Sequence, residues 1–93
     1  MTVKYSEKSF KDLKSFAHPD RILIVQKIHY LADNFEVLKN SKKVTQLKGC
    51  KFKSQYRFVV AKKIRVLFRI ENEEIILLVL RVGSRKNIYN GQR

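Results

Sequence analysis

The sequence predicts an α+β domain in which two N-terminal helices pack on one face of a small antiparallel β-sheet. One change of pattern and the short links that follow it carry that prediction. Over roughly the first 40 residues the apolar side chains recur at helical spacing, whereas from Gln55 onward they alternate. The links between the alternating runs are only a few residues long, too short for crossovers, which favours an antiparallel meander. Helices grouped before strands place the helices together on one sheet face. Ninety-three residues make one domain, 1–93, with a single modest core.

Met1 to Tyr5 is short and suits an edge strand. Ser6 is a good N-cap for a first helix, with Phe10, Leu13 and Phe16 on one side. His18-Pro19-Asp20 punctuates the chain: proline fits a first helical turn, and aspartate favours the positive end of the helix dipole. The second helix then carries Ile22, Val25, Ile28, Leu31 and Phe35 as its apolar stripe. Asn40 to Lys43 reads as a polar connector. From Gln55 to Ala61, Tyr56, Phe58 and Val60 share one face while Arg57, Val59 and Ala61 share the other. Lys62-Lys63 is a turn. In the next strand Ile64, Val66, Phe68 and Ile70 face one way and Arg65, Leu67 and Arg69 the other. Glu71 to Glu73 turns again. Ile75 to Val82 is apolar on both faces, the mark of a central strand, with Arg81 on the side of Ile75, Leu77 and Val79.

Lysine and arginine number 21 against 8 acidic residues, a formal charge of +13. Such an excess on a short chain calls for a polyanionic partner: nucleic acid, an acidic protein or a membrane surface. The second half, from Lys48, holds 12 basic and 3 acidic residues and is the anion-facing part. Cys50 is alone, so no intrachain disulfide forms and an oxidising compartment is not indicated. No secretory signal is evident, and the longest apolar run, Ile75 to Leu80, is far too short to span a bilayer. A soluble, cytoplasmic protein is expected.

His18, His29 and Cys50 do not stand at ligand spacing, so no metal site is expected. With three glycines in the chain there is no phosphate-cradling glycine loop, and no cofactor is expected. Arginine is what remains. Arg57 and Arg65 fall on the non-core faces of neighbouring strands, and Arg85 stands just beyond the strand end at Val82-Gly83-Ser84. Like charges gathered on an exposed sheet face cost stability, and phosphate is the ligand that compensates them. The other reading is a solvated face neutralised by a partner protein. Tyr89 either stacks on a base, accepts a proton where nearby cations favour its phenolate, or caps the core.

Residue order resembles the RelE/ParE toxin superfamily of bacterial toxin–antitoxin systems. The similarity runs through Leu47-Lys48-Gly49, Tyr56-Arg57-Phe58, Ile64-Arg65-Val66-Leu67-Phe68, an acidic turn, then Val82-Gly83-Ser84-Arg85 and Tyr89, across nearly the whole chain. The resemblance implies a fold related to microbial ribonucleases and a cytoplasmic toxin held inactive by an acidic antitoxin in a hetero-oligomer. The RelE branch, favoured by the Gly-x-Arg ending with a nearby tyrosine, is a ribosome-dependent endoribonuclease that cuts messenger RNA. The ParE branch inhibits DNA gyrase without nuclease activity. A non-cleaving member that binds RNA or antitoxin is the third possibility.

By the same resemblance Arg65 holds the scissile phosphate, Arg85 steadies the transition state or leaving group, and Tyr89 stacks on a base or takes the 2′-hydroxyl proton. Arg57 stands where the family has a strand lysine. A second family lysine falls at Val59, and the residue before the last arginine, often histidine, is Ser84. Lys51 or Lys53 then supplies the missing cation, and Lys48, Arg81 and Lys86 complete the expected RNA contacts.

Overall fold

The computed structural model describes residues 1–48, 55–71 and 76–84. Among them, three helices pack on a five-stranded mixed sheet. In chain order these are β1 (Thr2–Tyr5), α1 (Glu7–Lys14), α2 (His18–Asp33), α3 (Phe35–Asn40), β2 (Val44–Gln46), β3 (Gln55–Val60), β4 (Ile64–Glu71) and β5 (Ile76–Ser84). The sheet order is β1-β5-β4-β3-β2. Strands β3 to β5 form the expected antiparallel meander, β2 extends it by one strand, and β1 is the expected edge strand. It adds to β5 in parallel, Thr2 opposite Ile76, so the sheet is mixed rather than wholly antiparallel.

The helices differ from expectation in three places, each with a physical cause. Phe35 does not extend α2. Asn34 breaks the helix (φ −130°, ψ 27°), and Phe35 opens the separate helix α3. The buried side of α2 is Ile24, Ile28, Leu31 and Ala32, whereas Ile22 is exposed. The run Ile22-Leu23-Ile24-Val25 offers an apolar residue on every side, and contact with the sheet selects Ile24. In α1, Phe10 is exposed beneath the Lys14 ammonium, and Ser9 and Leu13 turn inward instead. Strand β2 was not expected, because three residues carry no readable alternation; pairing with β3, Val44 opposite Phe58, defines it.

The core lies between the helices and the face of β3 to β5 that presents Phe58, Val60, Val66, Phe68, Leu77 and Val79. Phe35 joins α3 to the sheet by edge-on contacts with Tyr56 and Phe68, centroids 5.4 and 6.1 Å apart. Ser6 joins α1 to it. Its Oγ accepts the Ser9 N–H at 3.1 Å, as an N-cap should, and donates to the Leu80 carbonyl at 2.8 Å. Tyr5 carries a defect: its phenol oxygen is buried with no hydrogen-bond partner among the described residues, and burial raises its pKa above the usual value. Tyr5→Phe is therefore expected to stabilise the fold by about 1 kcal/mol, read from urea melts. The ionisation adds a pH effect. A raised folded pKa favours the fold below the unfolded value near 10 and loses that contribution above it, so the advantage of phenylalanine should grow in alkali.

Candidate functional site

The sheet face turned away from the helices carries the arginines. Cross-strand partners share a face, so the register fixes the layout. Arg57 on β3 stands opposite Leu67 on β4, which stands opposite Arg81 on β5. Arg65 and Arg69 flank Leu67 along β4, Arg65 opposite Val59 and Gly83, Arg69 opposite Gln55 and Leu78. Arg57 and Arg65 are thus diagonal neighbours, as alternation predicted. Leu67 lies at the centre and is fully buried although it stands outside the main core cluster.

Arg81 corrects the sequence reading of β5. The register shifts between Leu67 and Phe68, whose partners are Arg81 and Val79, and Leu80 is the extra residue. This β-bulge reverses the alternation. Arg81 therefore lies on the face opposite Leu77 and Val79, and Val82 takes the core side.

The arginines differ in their partners. Arg69 donates from Nε and Nη2 to Glu71 Oε2 at 3.0 and 2.6 Å. Arg81 donates from Nε to Asp12 Oδ2 at 2.8 Å and from Nη2 to Asp12 Oδ1 at 3.2 Å, and the Val82 N–H donates to Asp12 Oδ2 at 2.9 Å. Hydrogen bonding to Asp12 raises the Arg81 pKa, with burial opposing it. This carboxylate on α1, together with Ser6, satisfies the groups of β5 beyond the end of β1 and covers what would be an open edge. The sequence signal for it was slight: one aspartate among the lysines of α1.

Arg65 has no carboxylate partner among the described residues. Its Nη1 donates to the Lys62 carbonyl at 3.0 Å, and its Nε is buried without a hydrogen-bond partner. The turn that it holds is strained: Ala61 and Lys62 both take positive φ, 52° and 65°, in a three-residue link without glycine. Across the strand Gly83 has no side chain, which leaves room beside the guanidinium. A partly exposed guanidinium with no carboxylate partner among the described residues is the chemistry of an anion site. Arg57 is partly buried one strand away, and Lys48 is exposed. Arg85, Lys86, Tyr89, Lys51 and Lys53 lie outside the described residues. No group of three His, Cys, Asp or Glu side chains suited to a metal occurs among the described residues, and none of their helices is long and apolar enough to cross a membrane.

Comparison with known proteins gives a consistent picture. The profile described as ParE toxin of type II toxin-antitoxin system, parDE, matches residues 3–89. No curated protein matches. Among solved structures, the chain is similar to the toxin–antitoxin complex RelBE2 from Mycobacterium tuberculosis (19% identity, TM-score 0.68, covering 90% of this chain and 96% of that one). It is similar to the isolated E. coli RelE toxin (15%, 0.68, covering 97% and 92%). It is also similar to a YoeB/ParE toxin from Agrobacterium tumefaciens (18%, 0.63, covering 91% and 99%).

Proposed function

The chain belongs to the ParE toxin family of type II toxin–antitoxin systems, and from that premise we propose that it is a toxin that cuts messenger RNA on the ribosome and is held inactive by an acidic antitoxin. Arg65 is the observation that supports cleavage. Its charge meets no carboxylate among the described residues, and its Nη1 bonds only to the neutral Lys62 carbonyl there. A phosphate would supply the missing counter-charge. In the reaction the 2′-oxygen attacks the adjacent phosphorus, and the bond to the 5′-oxygen breaks. The products are a 2′,3′-cyclic phosphate and a 5′-hydroxyl. Tyr89, as its phenolate, takes the 2′-hydroxyl proton, and the departing 5′-oxygen takes a proton from water; Arg65 and Arg57 steady the negative charge that gathers on the phosphorane, with Arg85 at the leaving group. Arginine stays charged at neutral pH and so acts through its field and its donors rather than as a base.

A second reading, inhibition of DNA gyrase without cleavage, is favoured by the matching profile, which is that of ParE. Primer extension on messages from cells expressing the chain separates the two. Discrete cuts that require translation select cleavage. Intact messages, with gyrase supercoiling blocked by the purified protein, select the other.

Contact with RNA phosphates also fixes a salt dependence. Each single-strand phosphate contact contributes about −0.7 to the slope of log K against log salt. For about two such contacts, affinity for ribosomes should fall about sevenfold between 50 and 200 mM salt. Co-sedimentation at both concentrations measures it, and equal binding would remove the basic face from the contact.

A further inference from the structure

We propose that a groove at the turn end of the β3–β4 hairpin, at the edge where β3 runs on past its last pair with β2, is the docking site for an acidic, apolar-anchored segment of the antitoxin; the proposal rests on the antitoxin reading above. Three of the large apolar side chains exposed among the described residues gather there: Tyr30 of α2 (50% exposed), Val37 of α3 (66%) and Val59 of β3 (38%). They border a groove of about 400 Å³ whose floor is the core itself, at Leu38 and Phe58. The local sequence leaves them outside for separate reasons. The six residues of α3 turn Phe35 and Leu38 inward, so Val37 faces out. Strand alternation points Val59 away from the core that holds Phe58 and Val60. Contiguous exposed apolar surface of this kind marks an interaction site.

The choice of occupant follows from charge. Lys27 and Lys43 stand on the groove, no carboxylate lines it among the described residues, and the Lys27 ammonium lies 5.8 Å from the centre of the Tyr30 ring. An apolar floor between two ammonium groups fits a segment that offers one or two aliphatic side chains flanked by Glu or Asp. It fits RNA poorly, because two of the exposed side chains are valines that neither stack nor donate, and Lys27 stands over the ring of Tyr30. The groove also abuts the site. Val59 is the cross-strand partner of Arg65, whose guanidinium holds the Lys62 carbonyl of the same turn. A segment seated in the groove lies beside Arg65 without covering it, so docking and masking of the arginines are separable events.

The test uses the full chain and the acidic protein encoded by the adjacent reading frame, with affinity measured by titration calorimetry. Val37→Asp and Lys43→Glu should each weaken the complex about tenfold or more, while Lys4→Glu on β1, which changes the net charge as much as Lys43→Glu does, should stay within about twofold. All three positions are exposed, so thermal melts should be unchanged. Wild-type affinity in both groove variants overturns the proposal and leaves the antitoxin reading intact. Absence of binding by the unaltered chain overturns both. Weaker ribosome co-sedimentation by the groove variants at unchanged antitoxin affinity also overturns it, and makes the groove a nucleic-acid surface.

Discussion

Arg65→Ala is expected to lower message cleavage about 100-fold, the effect of removing one preorganised donor from a developing oxyanion. Stability should change far less, since the side chain lends the fold a single hydrogen bond to the Lys62 carbonyl. Arg65→Lys should recover only part of the rate, because an ammonium keeps the charge but loses the planar fork. Arg85→Ala is expected to match Arg65→Ala in rate, and the double variant to fall little further, since groups that act on one transition state are not additive. Cleavage in a translation extract, toxicity in growing cells and a thermal melt on the same proteins measure this. Full toxicity of both single variants with an unchanged cut pattern would remove the arginines from the chemistry and bring the gyrase reading forward.

The largest stability effect belongs to Asp12. Both members of the Asp12–Arg81 pair keep 18% of their side-chain surface exposed, so the pair is mostly withdrawn from water. Asp12→Ala strands the Arg81 guanidinium and the Val82 N–H together. A loss of about 2–4 kcal/mol is expected, and a fall in melting temperature of about 10–20 °C. Arg81→Ala should cost less, because Asp12 keeps its bond from Val82 and can take water. Once Asp12 is gone, removing Arg81 as well should cost little more or even recover stability. A double-mutant cycle by urea denaturation gives the coupling directly. Additive losses would mean that the two residues stabilise the fold independently.

Much of this architecture was legible in the residues. Period-two alternation in β3 and β4 placed Arg57 and Arg65 on one open face, and the register agrees. Ser6 was legible as a cap because its chemistry is local. What escaped was decided by contacts distant in sequence. Nothing in Leu80-Arg81-Val82 announces a bulge; it follows from how β5 meets both β4 and Asp12. Likewise the four consecutive apolar residues at Ile22 to Val25 suit several helix orientations, and only the sheet chooses among them. Strand β2 is too short for a pattern. The candidate site is legible in part for the same reason: Arg65 is set by alternation, whereas its lack of a carboxylate partner among the described residues is a property of the assembled face.

The parallel pairing of β1 with β5 has a kinetic consequence. Thr2 lies against Ile76, and Ser6 binds Leu80 across 74 residues of sequence. Strand β1 thus waits for β5, about 70 residues later in the chain, before it has a neighbour among the described strands. Such high contact order makes folding slow and late, and deprives unfinished chains of a closed sheet. Translation that stalls before β5 leaves α1 and β1 without their partner strand, so incomplete chains should be degraded rather than toxic. The sheet, and with it the arginine face that β5 completes, closes only after β5 has been made.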